Sequence, residues 1–182
     1  MRHLPNIICL CRIALIWPII DGLVDGAYER TLLLFGVAAF SDGLDGWLAK
    51  RFGWTSPTGI WLDPLADKLL LVSVFLVLTW LDQLPRYLAV AAVARDVLIV
   101  LGAIIYRASW GPLRGRPVLS SKINTVLQIV FILLLVIHAQ WDQPPAPVLQ
   151  ALAAATFLTV LYSGAAYLRV FTRRALLGAA IQ

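Results

Sequence analysis

Long runs of apolar residues alternate with short polar segments along this chain. The runs lie at roughly residues 5–24, 27–51, 59–81, 85–107, 119–139 and 147–171. Each is close to the length of about 20 residues that a helix needs to cross the hydrocarbon core of a bilayer. The pattern therefore predicts an all-α integral membrane protein with six transmembrane helices.

Composition supports a membrane protein rather than a soluble one. Of the 182 residues, 60% are hydrophobic and 14% are charged, whereas soluble domains carry about 25% charged residues. No linker, repeat or low-complexity tract divides the chain. We therefore expect one membrane domain over residues 1–182 and no nucleic-acid partner.

Basic residues are concentrated on one side of the six predicted spans. That side holds both termini and the second-to-third and fourth-to-fifth connections, with Arg2, Lys50, Arg51, Arg107, Arg114, Arg116, Lys122, Arg169, Arg173 and Arg174. The opposite side carries mainly acidic residues. Because basic residues favour the cytoplasmic side, we expect cytoplasmic termini in what we interpret as a bacterial inner membrane.

Four of the ten acidic residues lie between residues 41 and 68. Asp42 and Asp45 are three residues apart, and Asp63 and Asp67 are four apart, so each pair shares one face of a helix. A segment rich in Gly, Ser, Thr and Pro, residues 53–59, separates the pairs. This arrangement predicts a helical hairpin between the second and third spans that brings four carboxylates together.

Such a cluster needs positive charge. A single carboxylate within a membrane span costs at least about 2.5 kcal/mol on insertion scales, and four carboxylates also repel one another. Two divalent cations would balance the charge, and carboxylate oxygens suit Mg2+ or Mn2+ better than zinc. Two-metal carboxylate sites commonly act on phosphates.

The order of small and charged residues in this segment resembles the signature of the CDP-alcohol phosphatidyltransferase family. That pattern is D-x2-D-G-x2-A-R-x8-G-x3-D-x3-D, and this chain matches seven of its eight fixed positions without a gap. The exception is Lys50, where the family usually has arginine. Lysine keeps the charge but loses the planar fork that binds phosphate through two hydrogen bonds.

This resemblance implies a metal-dependent transfer of a phosphatidyl group from CDP-diacylglycerol to an alcohol, with release of CMP. It also implies a homodimer and gives roles to the matching residues. Two cations would bind Asp42, Asp45, Asp63 and Asp67; the catalytic base would be Asp67; and the CDP and phosphate contacts would come from Asp45, Gly46, Ala49, Lys50 and Gly59.

Charged and polar residues elsewhere are candidates for binding the phosphate of the acceptor. Arg12 follows Pro5-Asn6, as in the family; because it lies well inside the first span, we expect a structural or phosphate-facing role rather than a side chain that snorkels to the membrane surface. Arg95 lies in the fourth span beside Asp96; adjacent residues do not share a helix face, so we expect different partners for the two. Lys122 and Asn124 lie at the start of the fifth span, where Ser120 or Ser121 is a candidate N-cap.

The acceptor alcohol is predicted from two short stretches. Ala94-Arg95-Asp96-Val97 and the segment from Ser121 to Gln128 resemble the cardiolipin synthases of this family. Phosphatidylglycerophosphate synthases usually have a second lysine where this chain has Asn124, and a dianionic acceptor gains more from that charge than a lipid phosphodiester does. We therefore expect phosphatidylglycerol as the acceptor, with glycerol 3-phosphate as the alternative.

Two other classes of membrane protein also use aspartate clusters. Aromatic prenyltransferases bind Mg2+ and pyrophosphate, but their two Asp-rich motifs lie on separate loops rather than in one hairpin. A metal-ion transporter would account for the intramembrane carboxylates, yet it leaves the Gly-x-x-Ala-Lys spacing and the basic residues unexplained. It predicts metal flux without release of CMP.

Overall fold

All regular structure in the part of the chain that the computed structural model describes, residues 4–52, 59–110 and 119–179, is α-helical. The helices are α1 (Leu4–Val24), α2 (Tyr28–Phe52), α3 (Gly59–Trp80), α4 (Arg86–Trp110), α5 (Leu119–Trp141) and α6 (Ala146–Ala179). The predicted all-α fold is confirmed, and the apolar runs locate five helices to within a few residues. α6 extends eight residues beyond the predicted run. The polar residues Thr172, Arg173 and Arg174 end the apolar run, but they do not end the helix.

Three of these helices are long and apolar enough to cross a membrane. They are Arg86–Ser109, Leu119–Trp141 and Ala146–Thr172, as judged on the described residues. Six crossings stay a prediction. The turn of the predicted hairpin, residues 53–58, and the basic connection at residues 111–118 lie outside the described ranges.

Tight turns with left-handed residues end three of the helices. After α1, Gly26 has a φ of 71°, and the amide of Ala27 donates to the carbonyl of Gly22. After α3, Asp82 has a φ of 55°, and Gln83 donates to Leu78 in the same way. These two turns are Schellman motifs; after α5, Asp142 has a φ of 57° and its amide donates to the carbonyl of His138, the simpler αL motif. Both motifs satisfy the last carbonyl groups of a helix.

The helices fall into two compact units. The first comprises residues 1–84 with 135–143, and the second comprises residues 85–134 with 144–182. In the first unit, α1 packs against both α2 and α3. Its buried positions include Ile19 and Leu23 of α1, Ala38 of α2, and Val74 and Leu78 of α3.

In the second unit, α4 and α6 run parallel to each other. Their contacts pair Tyr87 with Phe157, Arg95 with Ser163, and Gly102 with Phe171, so the difference in residue number stays nearly constant along the helices. The first part of α5 joins this pair, because Ser121 bonds to Arg95 and Asn124 bonds to Thr159. A constant offset of this kind is what parallel, closely packed helices require.

A glycine allows the close approach of α1 and α2, which we test with an alanine substitution. A Cβ on Gly22 would lie 2.6 Å from Oγ1 of Thr31, a fully buried residue whose hydroxyl donates to the carbonyl of Ala27. We expect Gly22→Ala to destabilise the protein by about 1–3 kcal/mol, as overpacking does, measured as thermal unfolding in detergent.

The matched control is Gly36→Ala, since a Cβ at Gly36 would have no neighbour within 4 Å. This change should be neutral or slightly stabilising, because alanine is the better helix former. The double variant Gly22→Ala/Thr31→Ala should recover stability relative to the sum of the single changes, because it removes the clashing oxygen. An unaltered melting temperature in Gly22→Ala would contradict the packing.

Candidate active site

The four aspartates of the motif lie on two helices, as predicted. Asp42 and Asp45 belong to α2, and Asp63 and Asp67 belong to α3. The side chain of Asp67 is described and is about half exposed. The side chains of Asp42, Asp45 and Asp63 lie outside the described ones, as do the surroundings of the remaining motif residues, Gly46, Ala49, Lys50 and Gly59.

Asp67 receives a hydrogen bond from a buried arginine of α1. Nη1 of Arg12 lies 2.7 Å from Oδ1 of Asp67. The Arg12 side chain is 1% exposed and that of Asp67 is 45% exposed, so the cation is inside the helix packing and the carboxylate reaches the surface of the unit. Burial of a charge is costly unless it is paired, and this contact compensates Arg12.

The ion pair gives Arg12 a partner within the protein. Of its two expected roles, structural or phosphate-facing, the contact favours the structural one, because the guanidinium binds a carboxylate of the aspartate motif directly. It also fixes one oxygen of Asp67 and leaves the carboxylate partly accessible. A carboxylate held in this way is oriented before any ligand arrives.

The donor set on α2 and α3 is compatible with hard cations. Carboxylate oxygens are the ligands that Mg2+ and Mn2+ prefer, and Asp67 presents one such group at an accessible position. Within the described side chains, no three His, Cys, Asp or Glu residues come together. The two-cation site thus depends on aspartates outside that part and stays a prediction.

A second buried arginine, Arg95 of α4, binds residues of α5 and α6. Nη2 of Arg95 donates to Oγ of Ser121 at 2.6 Å and to Oγ of Ser163 at 2.7 Å. Arg95 is 5% exposed, and its guanidinium carbon lies 5.9 Å from the centre of the Tyr167 ring. The side chain therefore links all three helices of the second unit.

Arg95 and Asp96 bind each other, so the expectation that the two residues pair only with different partners is wrong. Nη1 of Arg95 lies 2.5 Å from Oδ1 of Asp96. Adjacent Cβ atoms on a helix point in directions about 100° apart, but the long arginine side chain can curve back to the neighbouring carboxylate. The charge of Arg95 is consequently balanced locally.

The predicted acceptor residues of α5 lie in different surroundings. Lys122 is exposed, whereas Asn124 is fully buried and its Oδ1 accepts a hydrogen bond of 3.1 Å from Thr159. α5 already begins at Leu119, so Ser120 and Ser121 lie within its first turn and the N-cap prediction is wrong. Ser121 instead uses its hydroxyl to bind Arg95.

Sequence reasoning missed the polar residues of α6. Thr156, Thr159, Ser163 and Tyr167 recur at intervals of three or four residues, and three of them contact Arg95 or Asn124. The spacing alone could have revealed a polar stripe facing the other helices.

Comparisons with known proteins agree with the motif. The model of the CDP-alcohol phosphatidyltransferase family matches residues 2–165. The chloroplastic CDP-diacylglycerol–glycerol-3-phosphate 3-phosphatidyltransferase 1 of Oryza sativa is 35% identical over 71% of this chain and 45% of its own length. A probable cardiolipin synthase (CMP-forming) of Drosophila melanogaster is 32% identical over 90% of this chain and 56% of its own length.

A bacterial relative of similar size also matches. The CDP-diacylglycerol–glycerol-3-phosphate 3-phosphatidyltransferase of Bacillus subtilis is 31% identical over 76% of this chain and 78% of its own length. The chain spans about half the length of the rice and fly relatives. Relatives named as glycerol-3-phosphate phosphatidyltransferases and a relative named as a cardiolipin synthase therefore match at nearly the same identity.

The buried pair of Arg12 and Asp67 can be tested with a conservative change. Lysine keeps the charge but loses the planar, multiply donating group, so Arg12→Lys should destabilise the protein by about 1.5–3 kcal/mol, the range for hydrogen bonds to charged groups. Thermal unfolding in detergent measures this. The matched control is Arg30→Lys in the exposed pair with Asp21, at 3.8 Å, which should change stability by less than about 1 kcal/mol. Equal effects at both sites would contradict a special role for the buried pair.

Proposed function

The chain belongs to the CDP-alcohol phosphatidyltransferase family, and we propose that it transfers a phosphatidyl group from CDP-diacylglycerol to an alcohol, releasing CMP. The observation that carries this proposal is the aspartate motif, whose two pairs occupy helical positions on α2 and α3. The motif lies inside the region that the family model matches, residues 2–165. Relatives named as phosphatidyltransferases support the same reaction.

In the proposed mechanism, the hydroxyl oxygen of the acceptor attacks the phosphorus that carries the diacylglycerol. The bond from this phosphorus to the bridging oxygen breaks, and CMP leaves with that oxygen. The carboxylate of Asp67 takes the proton of the hydroxyl as general base. Arg12 keeps this carboxylate oriented through its hydrogen bond to Oδ1.

The other motif residues would bind and orient the nucleotide. We propose that Asp42, Asp45, Asp63 and Asp67 hold two divalent cations, which would supply the positive charge that stabilises the pyrophosphate. Lys50 would pair with a phosphate oxygen. Gly46, Ala49 and Gly59 have little or no side chain, so the nucleotide can approach the backbone closely.

The acceptor is proposed to be phosphatidylglycerol, which would make the enzyme a cardiolipin synthase. Arg95 is balanced by Asp96 at 2.5 Å, and the neighbouring buried position holds the neutral Asn124. A site with so little uncompensated positive charge suits a lipid phosphodiester with one negative charge better than a dianionic phosphate. Lys122 and Arg95 remain the candidates for contact with the acceptor phosphate.

Glycerol 3-phosphate is the second candidate acceptor. It is favoured by the relatives from rice and Bacillus subtilis, both named for that acceptor. The exposed Lys122 also offers a full charge to a dianion. Overall identity does not separate the two acceptors.

A homodimer and a bacterial inner-membrane location with a cytoplasmic active site belong to the same proposal. Family membership supports the dimer. The concentration of arginine and lysine at one side of the six predicted spans supports the orientation. Three described helices that could cross a membrane support the location.

The central experiment measures CMP release from CDP-diacylglycerol by purified protein with Mg2+ or Mn2+. Phosphatidylglycerol and glycerol 3-phosphate are offered separately. We expect activity with phosphatidylglycerol, and a loss of at least about a hundredfold in Asp67→Asn, as for other general bases. Asp82→Asn at the opposite end of α3 is the matched control and should keep full activity.

The outcomes separate the family reaction from the acceptor. Activity with glycerol 3-phosphate alone would overturn the cardiolipin synthase assignment and retain the reaction type. Absence of CMP with either acceptor, or full activity in Asp67→Asn, would refute the proposed catalytic site. Metal uptake into vesicles without CMP release would point to a transporter.

The role of Lys122 is tested by Lys122→Gln. If the ammonium group binds the acceptor phosphate, the KM for the acceptor should rise about fivefold or more while kcat changes little, because charge-assisted contacts are roughly twice as strong as neutral ones. The KM for CDP-diacylglycerol should stay unchanged. Arg86→Gln, at the start of α4, is the control. An unchanged acceptor KM in Lys122→Gln would remove Lys122 from the acceptor site.

A further inference from the structure

Ser163 of α6 binds one complete edge of the Arg95 guanidinium. Its hydroxyl oxygen accepts hydrogen bonds from Nη2 of Arg95 at 2.7 Å and from Nε at 3.3 Å. The guanidinium is planar, and its N–H groups point in fixed directions. A single oxygen that bonds to both Nε and Nη2 therefore restricts the position of the group and its rotation. We call this the inner edge of Arg95.

Other residues of α6 contact the rest of the Arg95 side chain. Its Cγ packs against Gly164, where a Cβ would lie at the ordinary contact distance of 3.7 Å. The ring of Tyr167, one turn further along α6, lies beside the guanidinium carbon at 5.9 Å. α6 thus contacts the stem, the inner edge and one face of the same side chain. An arginine held in this way has lost much of its rotamer freedom before any ligand binds.

The outer edge of the guanidinium, formed by Nη1 and Nη2, faces the more accessible side of the second unit. Nη1 donates to Asp96 at 2.5 Å, and Nη2 donates to Ser121 at 2.6 Å. Ser163 is 0% exposed, whereas the side chain of Asp96 is 17% exposed and Ser121 is only partly buried. Ser121 lies in the first turn of α5, next to the exposed Lys122. The outer edge therefore lies toward the start of α5, which the basic residues assign to the cytoplasmic side.

The outer edge can still bind an anion. Among the described residues, four of the five N–H groups of Arg95 have partners, and the fifth belongs to Nη1. A phosphate oxygen can accept this N–H, or it can replace the neutral Ser121 on Nη2 without separating Arg95 from Asp96. Ser163 is fully buried on the inner edge. It can therefore influence such a ligand only indirectly, through Arg95 or through helix packing.

We propose that Ser163 is a positioning residue for the acceptor, which holds the inner edge of Arg95 so that the outer edge can bind the phosphate of a glycerophosphate group. The inference rests on the proposed function, in which Arg95 contacts the acceptor phosphate. Phosphatidylglycerol and glycerol 3-phosphate share this group, as a diester and as a monoester. Ser163 would thus act on binding of either acceptor without touching it.

The test measures acceptor binding without turnover. Dihexanoyl phosphatidylglycerol and glycerol 3-phosphate are titrated separately into purified protein in detergent, with CMP and Mg2+ present and CDP-diacylglycerol absent. Isothermal titration calorimetry gives the dissociation constant. We expect Ser163→Ala to raise this constant about fivefold for the acceptor that the parent protein binds, which is the order of one hydrogen bond.

Thr156→Val is the matched control. Thr156 is on the same helix and, like Ser163, is 0% exposed, but its hydroxyl donates to the carbonyl of Leu152. Both changes remove one buried hydroxyl group from α6, so an effect of packing alone should appear in both variants. We expect Thr156→Val to bind the acceptor as the parent protein does.

The double variant Arg95→Lys/Ser163→Ala shows whether Ser163 acts through Arg95. Lysine keeps the charge but has no planar fork for Ser163 to hold. Ser163→Ala should therefore weaken acceptor binding by less than about twofold in the Arg95→Lys protein, because the effects of residues in one network are not additive. In the CMP-release assay, Ser163→Ala should raise the KM for the acceptor and leave the KM for CDP-diacylglycerol unchanged.

Four results would overturn the proposal. They are an unchanged dissociation constant in Ser163→Ala, an equal loss in Thr156→Val, full additivity with Arg95→Lys, and no binding of either acceptor to the parent protein. Release of CMP is measured separately, so the two proposals fail separately. Normal CMP release with unaltered acceptor binding in Ser163→Ala rejects only the positioning role. Weakened acceptor binding in that variant, with no CMP release by the parent protein, rejects only the proposed reaction.

Discussion

Pairing of buried arginines is the constraint on which both helical units depend. Arg12 and Arg95 are inside helix packing, at 1% and 5% exposure, where an unpaired cation would cost several kcal/mol. Each is compensated by a carboxylate, Asp67 at 2.7 Å and Asp96 at 2.5 Å. The two arginines are compensated by different kinds of carboxylate, and this difference matters for function. Arg12 binds a residue of the aspartate motif, whereas Arg95 binds the adjacent residue and donates its remaining hydrogen bonds to α5 and α6.

Polar contacts set the register of helices whose other contacts are apolar. Leucine, valine and alanine pack in many similar ways, but Arg95 reaches Ser121 and Ser163 at one alignment only. Asn124 and Thr159 add a second contact between α5 and α6. In a medium where apolar side chains gain little from leaving lipid, such hydrogen bonds and close packing distinguish one arrangement from another.

The sequence predicts the helices well and the partners of buried groups poorly. Apolar run length depends only on the cost of exposing polar backbone to lipid, so the six helices can be located from composition along the chain. The partner of Arg12 is 55 residues away on α3, and periodicity carries no information about such a distance. The pairing of Arg95 with Asp96 was excluded by helix-face geometry that ignores side-chain length.

For α6, burial of Thr156, Val160 and Ser163 identifies the packed face, which hydropathy could not separate from the lipid face. The aspartate motif was recognisable because its residue types and spacing are fixed by chemistry, and its placement on α2 and α3 agrees with that reading.

At position 124, the residue type that distinguishes the two acceptors affects helix packing as well as charge. Asn124 is the residue at which a second lysine would mark the alternative acceptor, yet it is 0% exposed and accepts a hydrogen bond from Thr159. A lysine there would bury a second cation in a unit where Asp96 already compensates Arg95, and its ammonium would need to extend toward the start of α5 to reach water. Thr159 would have to change its role, because an ammonium has no acceptor for the hydroxyl proton: the hydroxyl would accept from the ammonium and donate to the carbonyl of Thr156, which lies 2.9 Å away. A lysine at this position would thus change the hydrogen bonds of α6 as well as the charge of the unit, so the neutral pair Asn124 and Thr159 is a joint feature of two helices.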